Sequence, residues 1–557
     1  MEKIWLKHYP KKVPQTIDYP DIPVYRFLDD SAKNFPDAVA TVFMGAKLTY
    51  RELADQVNKF ACGLSRLGIK KGDRVALFFP NCPQSVIALY AALKIGAVIV
   101  QNNPLYVERE IKYQVDDSGA ETMITLDLEM LYPKVRNIQD KTGLKRVIVS
   151  SLKEYLPFPL SLLYPLAKRK DIAKVAPDAI WFQDLMKKGD TPPSVKVKSD
   201  EVALLQYTGG TTGVSKGVML THKNLVVNAI QCKSWFPEVE VGKERSLAVL
   251  PFFHSFGMTV SMNFPIHIAS SMILVPRWET KEVLSLIQKQ KPTLFPGVPT
   301  MYIAINNDPD VSKYDLSSIK YCISGAAPLP LEVLQKFERL TGGKLREGYG
   351  LTESSPVTHS NPLEGLVKEG SIGIPFPDTD CKIVDVEKGD KILGLNEIGE
   401  LCIKGPQVMK GYWNMPDETA QTLRDGWLYT GDISKVDEDG YFYIVDRKKD
   451  MIIASGFNIY PRDIEEVLYE YPKVKEVAVA GIPDEYRGET VKAYIVLKEG
   501  ETATEEEIIK FCKENLAKYK VPKMIEFRTA LPKTIVGKVL RRTLVEEELK
   551  KQKQKSQ

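Results

Sequence analysis

The sequence predicts an α/β protein with a large amino-terminal domain and a smaller α+β domain at the carboxyl end. Three observations lead to this fold class. Short apolar runs alternate with amphipathic segments over the first two thirds of the chain, Gly- and Asp-punctuated strands begin near Ser371, and a smaller alternating section follows Asp446. At 557 residues the chain is too long for one compact core. We therefore expect an amino-terminal domain over 1–445 and a carboxy-terminal domain over 446–557.

The amino-terminal domain is expected to contain doubly wound parallel sheets. The runs DRVALFFP, GAVIVQNN, AETMITL and KRVIVSS have the length and composition of buried strands, and YRELADQVNKFACGLSRLG has the period of a crossover helix. A second round of strands follows in SMILVP, PTLFPGVP and IKYCISGAAPL. Strands that alternate with helices in this way are typical of parallel sheets.

The later segments predict two smaller structures. GELCIKG and DGYFYIVD are short strands separated by turn residues, which is typical of a small barrel-like subdomain. After Asp446 we expect a helix over Arg462 to Tyr469, the strands KEVAVAGIP and KAYIVLK, and a helix that starts after Thr504. Glu507 stands three residues beyond Thr504, which is the spacing of a capping box.

Composition excludes several classes of function. The 76 basic residues nearly balance the 72 acidic ones, so the net charge gives no electrostatic field strong enough to indicate binding of nucleic acid. The seven cysteines are odd in number and never spaced as C-x-x-C, which favours reduced thiols over disulfides or zinc ligands. The amino terminus lacks the apolar core of a signal peptide, and no stretch approaches the ~20 apolar residues of a membrane span. These features indicate a cytoplasmic protein.

One apolar segment, LPFPLSLLYPLAKRK at 156–170, allows two interpretations. It is either an insertion packed on the protein surface or a patch that rests on the inner face of a membrane. In the second case the leucines and aromatic residues would enter the interface, and the basic residues would face anionic headgroups.

The stretch YTGGTTGVSKGVMLTH at 207–222 combines glycines, hydroxyls and one lysine. The strand VALLQY runs into the loop TGGTTGVSKG, and the helical segment THKNLVVNAIQ is expected to follow. Glycine-freed backbone N–H groups, hydroxyls and a lysine can form a concave anion site. It is not the GxxxxGK[ST] loop of P-loop NTPases, because Gly217 follows Lys216. A glycine-rich structural turn is the alternative.

Four further segments accompany this loop in order: GYGLTES at 348–354, YTGD at 429–432, DRKKDMIIASGFNIYPRDIE at 446–465 and PKTIVGKVLRR at 532–542. With them the chain resembles the adenylate-forming acyl-CoA synthetases over almost its whole length. It is most similar to the long-chain fatty acyl-CoA synthetases, through DGWLYTGD followed by DRKKDMI. The resemblance implies ligation of a fatty acid to CoA with ATP and Mg²⁺, through an acyl-adenylate that releases pyrophosphate. Medium-chain or aryl (coumarate-like) acids, a light-producing oxygenase and a non-catalytic binding protein are the alternatives.

The resemblance also implies roles for individual residues. Lys538 would bridge the carboxylate and the α-phosphate, Thr352 would bind the α-phosphate, and Glu353 would hold Mg²⁺. The residues expected to bind the phosphates of ATP are Thr208, Gly209, Gly210, Thr211, Thr212, Gly213, Ser215 and Lys216. Those expected around the adenosine are Gly325, Ala326, Tyr349, Gly350, Asp432 and Arg447.

The acyl pocket and the CoA channel are assigned in the same way. The expected pocket residues are His254, Phe256, Gly257, Gly297 and Val298. His254 would contact the substrate rather than transfer a proton, although a lone histidine on an apolar segment is otherwise a packed core residue. After adenylation the mobile carboxy-terminal domain would rotate about Lys449, so that Gly456 and Phe457 line the CoA channel. The resemblance leaves a homodimer open.

Overall fold

The computed structural model describes residues 2–187, 191–208, 215–454, 457–484, 488–534, 537 and 539–555. Distances between Cα atoms divide the chain into two compact units. The large unit comprises Trp5–Asp380 and Lys404–Leu428, and the small unit comprises Met1–Ile4, Cys381–Ile403 and Tyr429–Gln557. The mixed α/β class and the division into a larger and a smaller part are as predicted. The border between residues 445 and 446 stays a prediction.

Among the described residues, eight strands form the first sheet of the large unit. Its strands are β3 (Arg74–Phe78), β4 (Val98–Asn102), β5 (Thr122–Leu126), β6 (Arg146–Ser150), β7 (Ile180–Trp181), β8 (Val202–Thr208), β9 (Lys216–Thr221) and β19 (Gly411–Tyr412). Their spatial order is β19-β9-β8-β4-β3-β5-β6-β7. The pairs from β8 to β7 are parallel, whereas β9 and β19 join antiparallel at one edge. β4 and β5 lie on opposite sides of β3, which is the doubly wound order, and both are buried along their whole length.

The second sheet of the large unit has nine strands in the part of the chain that the structure describes. They are β1 (Val39–Phe43), β2 (Ala46–Thr49), β10 (Arg245–Ala248), β11 (Ser271–Leu274), β12 (Leu294–Gly297), β13 (Tyr321–Ser324), β14 (Lys344–Gly350), β15 (Val357–Ser360) and β16 (Ile374–Pro375). Their order is β16-β15-β14-β13-β12-β10-β11-β1-β2. The middle of the sheet, from β14 to β1, is parallel, and both ends are antiparallel.

Helices connect these strands, and most begin with a local signal in the sequence. The helix α2, for example, starts after Thr49, whose hydroxyl accepts the N–H of Glu52 in a capping box. The helices of the large unit are α1 (Arg26–Asn34), α2 (Tyr50–Arg66), α3 (Pro83–Lys94), α4 (Glu108–Ser118), α5 (Tyr132–Gln139), α6 (Leu160–Ala167), α7 (Phe182–Met186), α8 (His222–Trp235), α9 (Ser255–Met258), α10 (Phe264–His267), α11 (Thr280–Gln290), α12 (Pro299–Asn307), α13 (Leu331–Thr341) and α14 (Pro416–Thr422). The short hairpin strand β20 (Leu423–Arg424) follows α14.

The described residues of the small unit form two groups of strands and three helices. The first group is β17 (Asp380–Val384), β18 (Gly399–Lys404), β21 (Trp427–Val436) and β22 (Phe442–Arg447), and β21 pairs antiparallel with β22. The second is β23 (Ile452–Ala454), β24 (Phe457–Ile459), β25 (Val474–Asp484), β26 (Gly488–Leu497) and β27 (Met524–Phe527). The helices of the small unit are α15 (Pro461–Tyr469), α16 (Glu505–Asn515) and α17 (Arg541–Lys555). The capping box of Thr504 and Glu507 forms as predicted.

The segment 156–170 carries an exposed helix. No side chain of α6 is buried, and Phe158, Leu162 and Leu166 are 80%, 66% and 79% exposed. In the parts of the chain that the structure describes, no helix is long and apolar enough to cross a membrane. All seven cysteines are free and buried, in agreement with the expected reduced thiols.

Candidate functional site

The glycine-rich loop lies between two antiparallel strands. Thr208 ends β8 and pairs with Lys216, the first residue of β9. The Ser215 hydroxyl donates to the Thr208 carbonyl at 2.7 Å, and the Tyr113 hydroxyl donates to the Ser215 carbonyl at 2.8 Å. These bonds fix both ends of the loop, while Gly209, Gly210, Thr211, Thr212 and Gly213 lie outside the described residues.

The predicted helix after this loop forms, and a strand that was not predicted lies between the loop and the helix. Lys216–Thr221 forms β9, and α8 begins only at His222. The residues of β9 are extended because their main chain pairs with β8 on one side and β19 on the other. Thr221 then caps the helix, since its hydroxyl accepts the Asn224 N–H.

Lys216 is buried and has two neighbours contributed by the segment 411–418. Its ammonium forms an ion pair with the Glu418 carboxylate and lies 5.2 Å from the centre of the Tyr412 ring. The Tyr412 hydroxyl in turn donates to Glu353 Oε1 at 2.8 Å. Burial first, and next the Glu353 carboxylate, raises the pKa of Tyr412, so the phenol keeps its proton. Tyr412 therefore contacts both Lys216, which was predicted to bind phosphate, and Glu353, which was predicted to hold Mg²⁺.

Thr352 and Glu353 lie in a short helical turn directly after β14. The Thr352 hydroxyl is 3.2 Å from the Ser255 hydroxyl at the start of α9, and the Glu353 carbonyl accepts the Met409 N–H at 2.7 Å. Ser255 stands between the predicted pocket residues His254 and Phe256. The structure thus brings the predicted nucleotide turn next to the predicted acyl segment.

A second contact between these two groups involves glycines at the ends of neighbouring strands. The Gly325 N–H donates to the Gly297 carbonyl at 3.2 Å. A Cβ on Gly325 would lie 2.9 Å from the Phe256 ring, and one on Gly297 would lie 2.9 Å from the Tyr302 hydroxyl. Both positions therefore need glycine to keep this close packing. Gly325, Gly297 and Phe256, predicted separately for adenine and acyl binding, form one cluster.

Three residues predicted to bind adenosine lie at the ends of two neighbouring strands, Tyr349 and Gly350 on β14 and Ala326 just after β13. Tyr349 is half-buried on β14, and its ring meets the His359 ring edge to face at 5.7 Å. Gly350 is exposed, and a Cβ there would collide with the Pro356 carbonyl at 2.1 Å. Ala326 is exposed with φ +68°, a left-handed conformation at the end of the strand that carries Gly325.

The remaining pocket residues are tightly packed. The His254 ring accepts the Phe256 N–H through Nδ1 at 3.2 Å, so it caps α9. Gly257 has no room for a side chain, because a Cβ would lie 2.2 Å from the Pro251 carbonyl oxygen. Val298 is buried at the start of α12.

Three other histidines are uncharged: His222 and His359 are buried, and His267 is half-buried. Burial lowers the pKa of His222 to about 4, of His267 to about 4 and of His359 to about 3. Among the described residues no group of three His, Cys, Asp or Glu side chains is arranged to hold a metal ion. A protein-only metal cage is therefore absent from this part of the chain.

In the small unit, the predicted ribose residues face each other across a strand pair. Asp432 on β21 is opposite Arg447 on β22, and Arg447 Nε lies 3.4 Å from Asp432 Oδ1. The buried carboxylate of Glu400 accepts the Gly431 N–H at 3.0 Å and the Lys448 ammonium at 2.9 Å. Glu400 thereby fixes the YTGD segment of β21 and the residue next to Arg447.

The predicted hinge residue Lys449 lies in the turn after β22. Burial, and then the charge of Arg447, lowers the pKa of Lys449. The Asp450 N–H donates to the Arg447 carbonyl at 3.0 Å, which closes the turn. Phe457 belongs to β24, whereas Gly456 and Lys538 lie outside the described residues.

Sequence reasoning missed Tyr412, Glu418 and Glu400. Tyr412 is 59 positions from Glu353, and Glu418 is 202 positions from Lys216. No local spacing could join them. The one available signal was the run GYWNMPDET, where a tyrosine and acidic residues cluster after a glycine.

Comparison with known proteins decides the family. Residues 28–413 match the family described as AMP-binding enzyme, and residues 463–538 match the AMP-binding enzyme C-terminal domain. The chain belongs to the AMP-binding enzymes. This AMP-binding enzyme is 50% identical over 554 residues to a long-chain-fatty-acid–CoA ligase of Bacillus subtilis (strain 168), and 98% of each chain is covered.

Two further AMP-binding enzymes extend the likeness. A long-chain-fatty-acid–CoA ligase of Yersinia pestis is 41% identical, with 99% of each chain covered. The crystal structure of ATP-bound MatB from Rhodopseudomonas palustris is similar with a TM-score of 0.83 at 29% identity, covering 95% of this chain and 99% of the other. The predicted family and fold class are confirmed.

Proposed function

We propose that this AMP-binding enzyme ligates a long-chain fatty acid to CoA. ATP and the acid would form an acyl-adenylate and pyrophosphate, and the CoA thiol would then displace AMP. The observation that carries the proposal is that the predicted nucleotide-binding residues of the large unit lie next to the predicted acyl segment. Thr352 contacts Ser255, and Gly325 packs closely against Phe256. A nucleotide phosphate and an acyl carboxylate held by these groups would be close enough to react. The names of the Bacillus and Yersinia relatives support the long-chain acid.

The residues of the large unit would divide the binding of ATP. Lys216 supplies the cation at the loop, and the Thr352 hydroxyl is a hydrogen-bond donor for the α-phosphate. Tyr349 offers an aromatic face to adenine, and Gly325 and Ala326 offer a backbone edge. Gly257 and Val298 would close the acyl pocket. Reaction builds negative charge as carboxylate and phosphate approach, and fixed donors stabilise such charge most effectively.

Glu353 fits the role of a Mg²⁺ ligand that shares the ion with phosphate oxygens. Mg²⁺ is commonly bound by one or two carboxylates together with substrate phosphates, and Glu353 is a half-buried carboxylate steadied by Tyr412. When bound, the ion would neutralise charge on the phosphates. Lys538 would place a second cation between the carboxylate and the α-phosphate.

The small unit would take part through ribose binding and movement. Asp432 would accept the ribose hydroxyls, with Arg447 beside it. Residues 446–557 would rotate about Lys449 between the two half-reactions, which would bring Gly456 and Phe457 to the CoA channel. The homodimer is likewise a proposal, and light scattering of the purified protein tests it.

We extend the proposal to a membrane contact through 156–170. The side chains of α6 are unburied, Phe158 and Leu166 are mostly exposed, and Lys168, Arg169 and Lys170 follow directly. This combination of apolar and basic groups suits the surface of an anionic bilayer, where long-chain acids partition.

Palmitate-dependent formation of AMP and palmitoyl-CoA tests the proposed reaction. We expect ATP–pyrophosphate exchange with palmitate alone and AMP release once CoA is added. A panel of acids from C6 to C20, with 4-coumarate, separates a long-chain ligase from a medium-chain or aryl ligase. Nucleotide binding without exchange on any acid would overturn the ligase in favour of a binding protein.

A further inference from the structure

The segment 411–418 contacts both charged groups that the proposed ATP site requires. We propose that Tyr412 is a positioning residue that couples Glu353 to Lys216, and that Glu418 is the counter-ion that Lys216 exchanges for phosphate when ATP binds. The inference rests on the proposed function, because it takes ATP as the ligand of the loop. It assigns roles to two residues outside the motifs that carry the family resemblance.

The geometry of Tyr412 carries the first half of the proposal. Its hydroxyl is 2.8 Å from Glu353 Oε1, and its ring lies under the Lys216 ammonium at 5.2 Å. An ammonium over an aromatic face is attracted by the ring while it keeps its hydrogen-bond donors for another partner. A single buried side chain thereby sets the positions of a carboxylate and a cation from distant parts of the chain.

The backbone around Tyr412 is fixed by the strand that carries Lys216. Tyr412 pairs with Val218 across β19 and β9, and the Trp413 N–H donates to the Gly217 carbonyl at 2.7 Å. The Tyr412 N–H also donates to the Thr419 hydroxyl at 2.9 Å. Since Thr419 belongs to α14, this bond holds the helix that carries Glu418 against the same strand.

The charges support the exchange of partners at Lys216. The Lys216 side chain is 11% exposed and that of Glu418 is 35% exposed, so the pair is partly withdrawn from water. A phosphate chain carries more negative charge than one carboxylate and would compete for the same ammonium. Glu418 then becomes an anion near another anion. It would weaken the binding of ATP and favour the departure of pyrophosphate.

Affinity measurements without acid or CoA test the role of Glu418, because no turnover occurs. Glu418→Gln keeps the shape of the side chain and removes its charge. We expect calorimetry with Mg²⁺ to show ATP and pyrophosphate bound about fivefold more tightly than by the wild type. The matched control is Asp417→Asn, which removes the neighbouring exposed charge and should leave both affinities unchanged. If the Gln variant does not fold, Glu418→Met removes the same charge.

Tyr412→Phe tests the coupling, since it removes only the hydroxyl and leaves the ring under Lys216. We expect the affinity for ATP with Mg²⁺ to fall about fivefold, whereas the affinity for ATP in EDTA stays at the wild-type value. A tyrosine that only supports the fold would change both affinities together. Thermal unfolding of each variant checks that the fold persists.

The outcomes separate this inference from the proposed function. Unchanged or weaker ATP binding by folded Glu418→Gln would overturn the exchange, and equal losses with and without Mg²⁺ in Tyr412→Phe would overturn the coupling. In either case the wild type would still form palmitoyl-CoA. A wild-type protein that binds no ATP at all would instead overturn the proposed function.

Discussion

Arg541 donates three hydrogen bonds to Glu465, from Nη2 to Oε2 at 2.7 Å and to Oε1 at 2.8 Å, and from Nε to Oε1 at 3.3 Å. A fourth bond reaches Asp450 Oδ2 at 3.2 Å from Nη1. The first residue of α17 is thereby tied to α15 and to the turn that contains Lys449. Arg541 also stands three positions beyond the proposed catalytic residue Lys538, which lies outside the described residues.

We expect Arg541→Ala to lower the free energy of unfolding by about 2–3 kcal/mol, because it leaves largely buried carboxylates without their partner. Urea denaturation measures this loss. The control is Arg542→Ala, which breaks an exposed i,i+4 pair with Glu546 and should cost at most about 0.5 kcal/mol. Equal losses in the two variants would show that the Arg541 contacts do not stabilise the small unit.

Lys538→Ala should block adenylation and spare the second half-reaction. The proposed lysine acts only while the carboxylate and the α-phosphate approach each other, and loss of one such group typically costs ~10²–10³ in rate. Single-turnover formation of palmitoyl-adenylate measures the first step. Addition of CoA to synthetic palmitoyl-adenylate measures the second. Adenylation at the wild-type rate would contradict the assignment of Lys538.

Gly325→Ala should raise the KM for palmitate more than it lowers kcat. The new methyl group would press on the Phe256 ring at 2.9 Å, and a ring end can shift at the expense of the acyl pocket. Steady-state kinetics with palmitate measure the change. Gly143→Ala is the control, since no atom lies within 4 Å of its added Cβ. A wild-type KM in Gly325→Ala would separate this glycine from the acyl pocket.

Much of the fold could be predicted because buried strands and capped helices have local signals. β4 and β5 lie in apolar-rich runs and are buried along their length, and Thr504 with Glu507 forms the predicted cap. β9 was missed because its extended form depends on pairing with β8 and β19, which its own six residues do not reveal.

The candidate site shows the same limit. Motifs located Lys216 and Glu353 separately, but their link through Tyr412 depends on three segments that only the folded chain brings together. Glu400 was missed for the same reason, since it binds the YTGD segment of β21 from a strand 31 positions earlier. Contacts that arise from tertiary packing leave no fixed spacing in the sequence.

Stability should fall as the pH drops from 6.5 towards 4. Burial lowers the pKa of His222 from 6.5 to about 4, so in this range the unfolded chain binds a proton that the folded chain does not. Below pH 4, His222 therefore lowers the free energy of unfolding by up to about 3 kcal/mol. We expect His222→Gln to show a shallower fall in urea denaturation across this range. An identical pH dependence in the variant would contradict a buried neutral His222.

The apolar helix α6 should bind anionic vesicles. Replacing Leu162 and Leu163 with serine removes two side chains that are 66% and 52% exposed and contribute little to the core. Because burial of a leucine side chain in an apolar phase is worth about 1.5–3 kcal/mol, the double variant should sediment with phosphatidylglycerol vesicles at least tenfold more weakly. Its turnover of octanoate, an acid soluble without a membrane, should stay at the wild-type level.

The basic residues after α6 give this prediction a second test. Lys168, Arg169 and Lys170 are exposed, and each basic residue near an anionic surface contributes about 1 kcal/mol that salt screens. Wild-type binding should therefore weaken in high salt and with neutral phosphatidylcholine vesicles, while the residual binding should depend on Leu162 and Leu163. If the double serine variant bound both kinds of vesicle like the wild type, α6 would be a surface insertion without a membrane role. A loss of octanoate turnover in the variant would instead show that α6 supports the fold of the large unit.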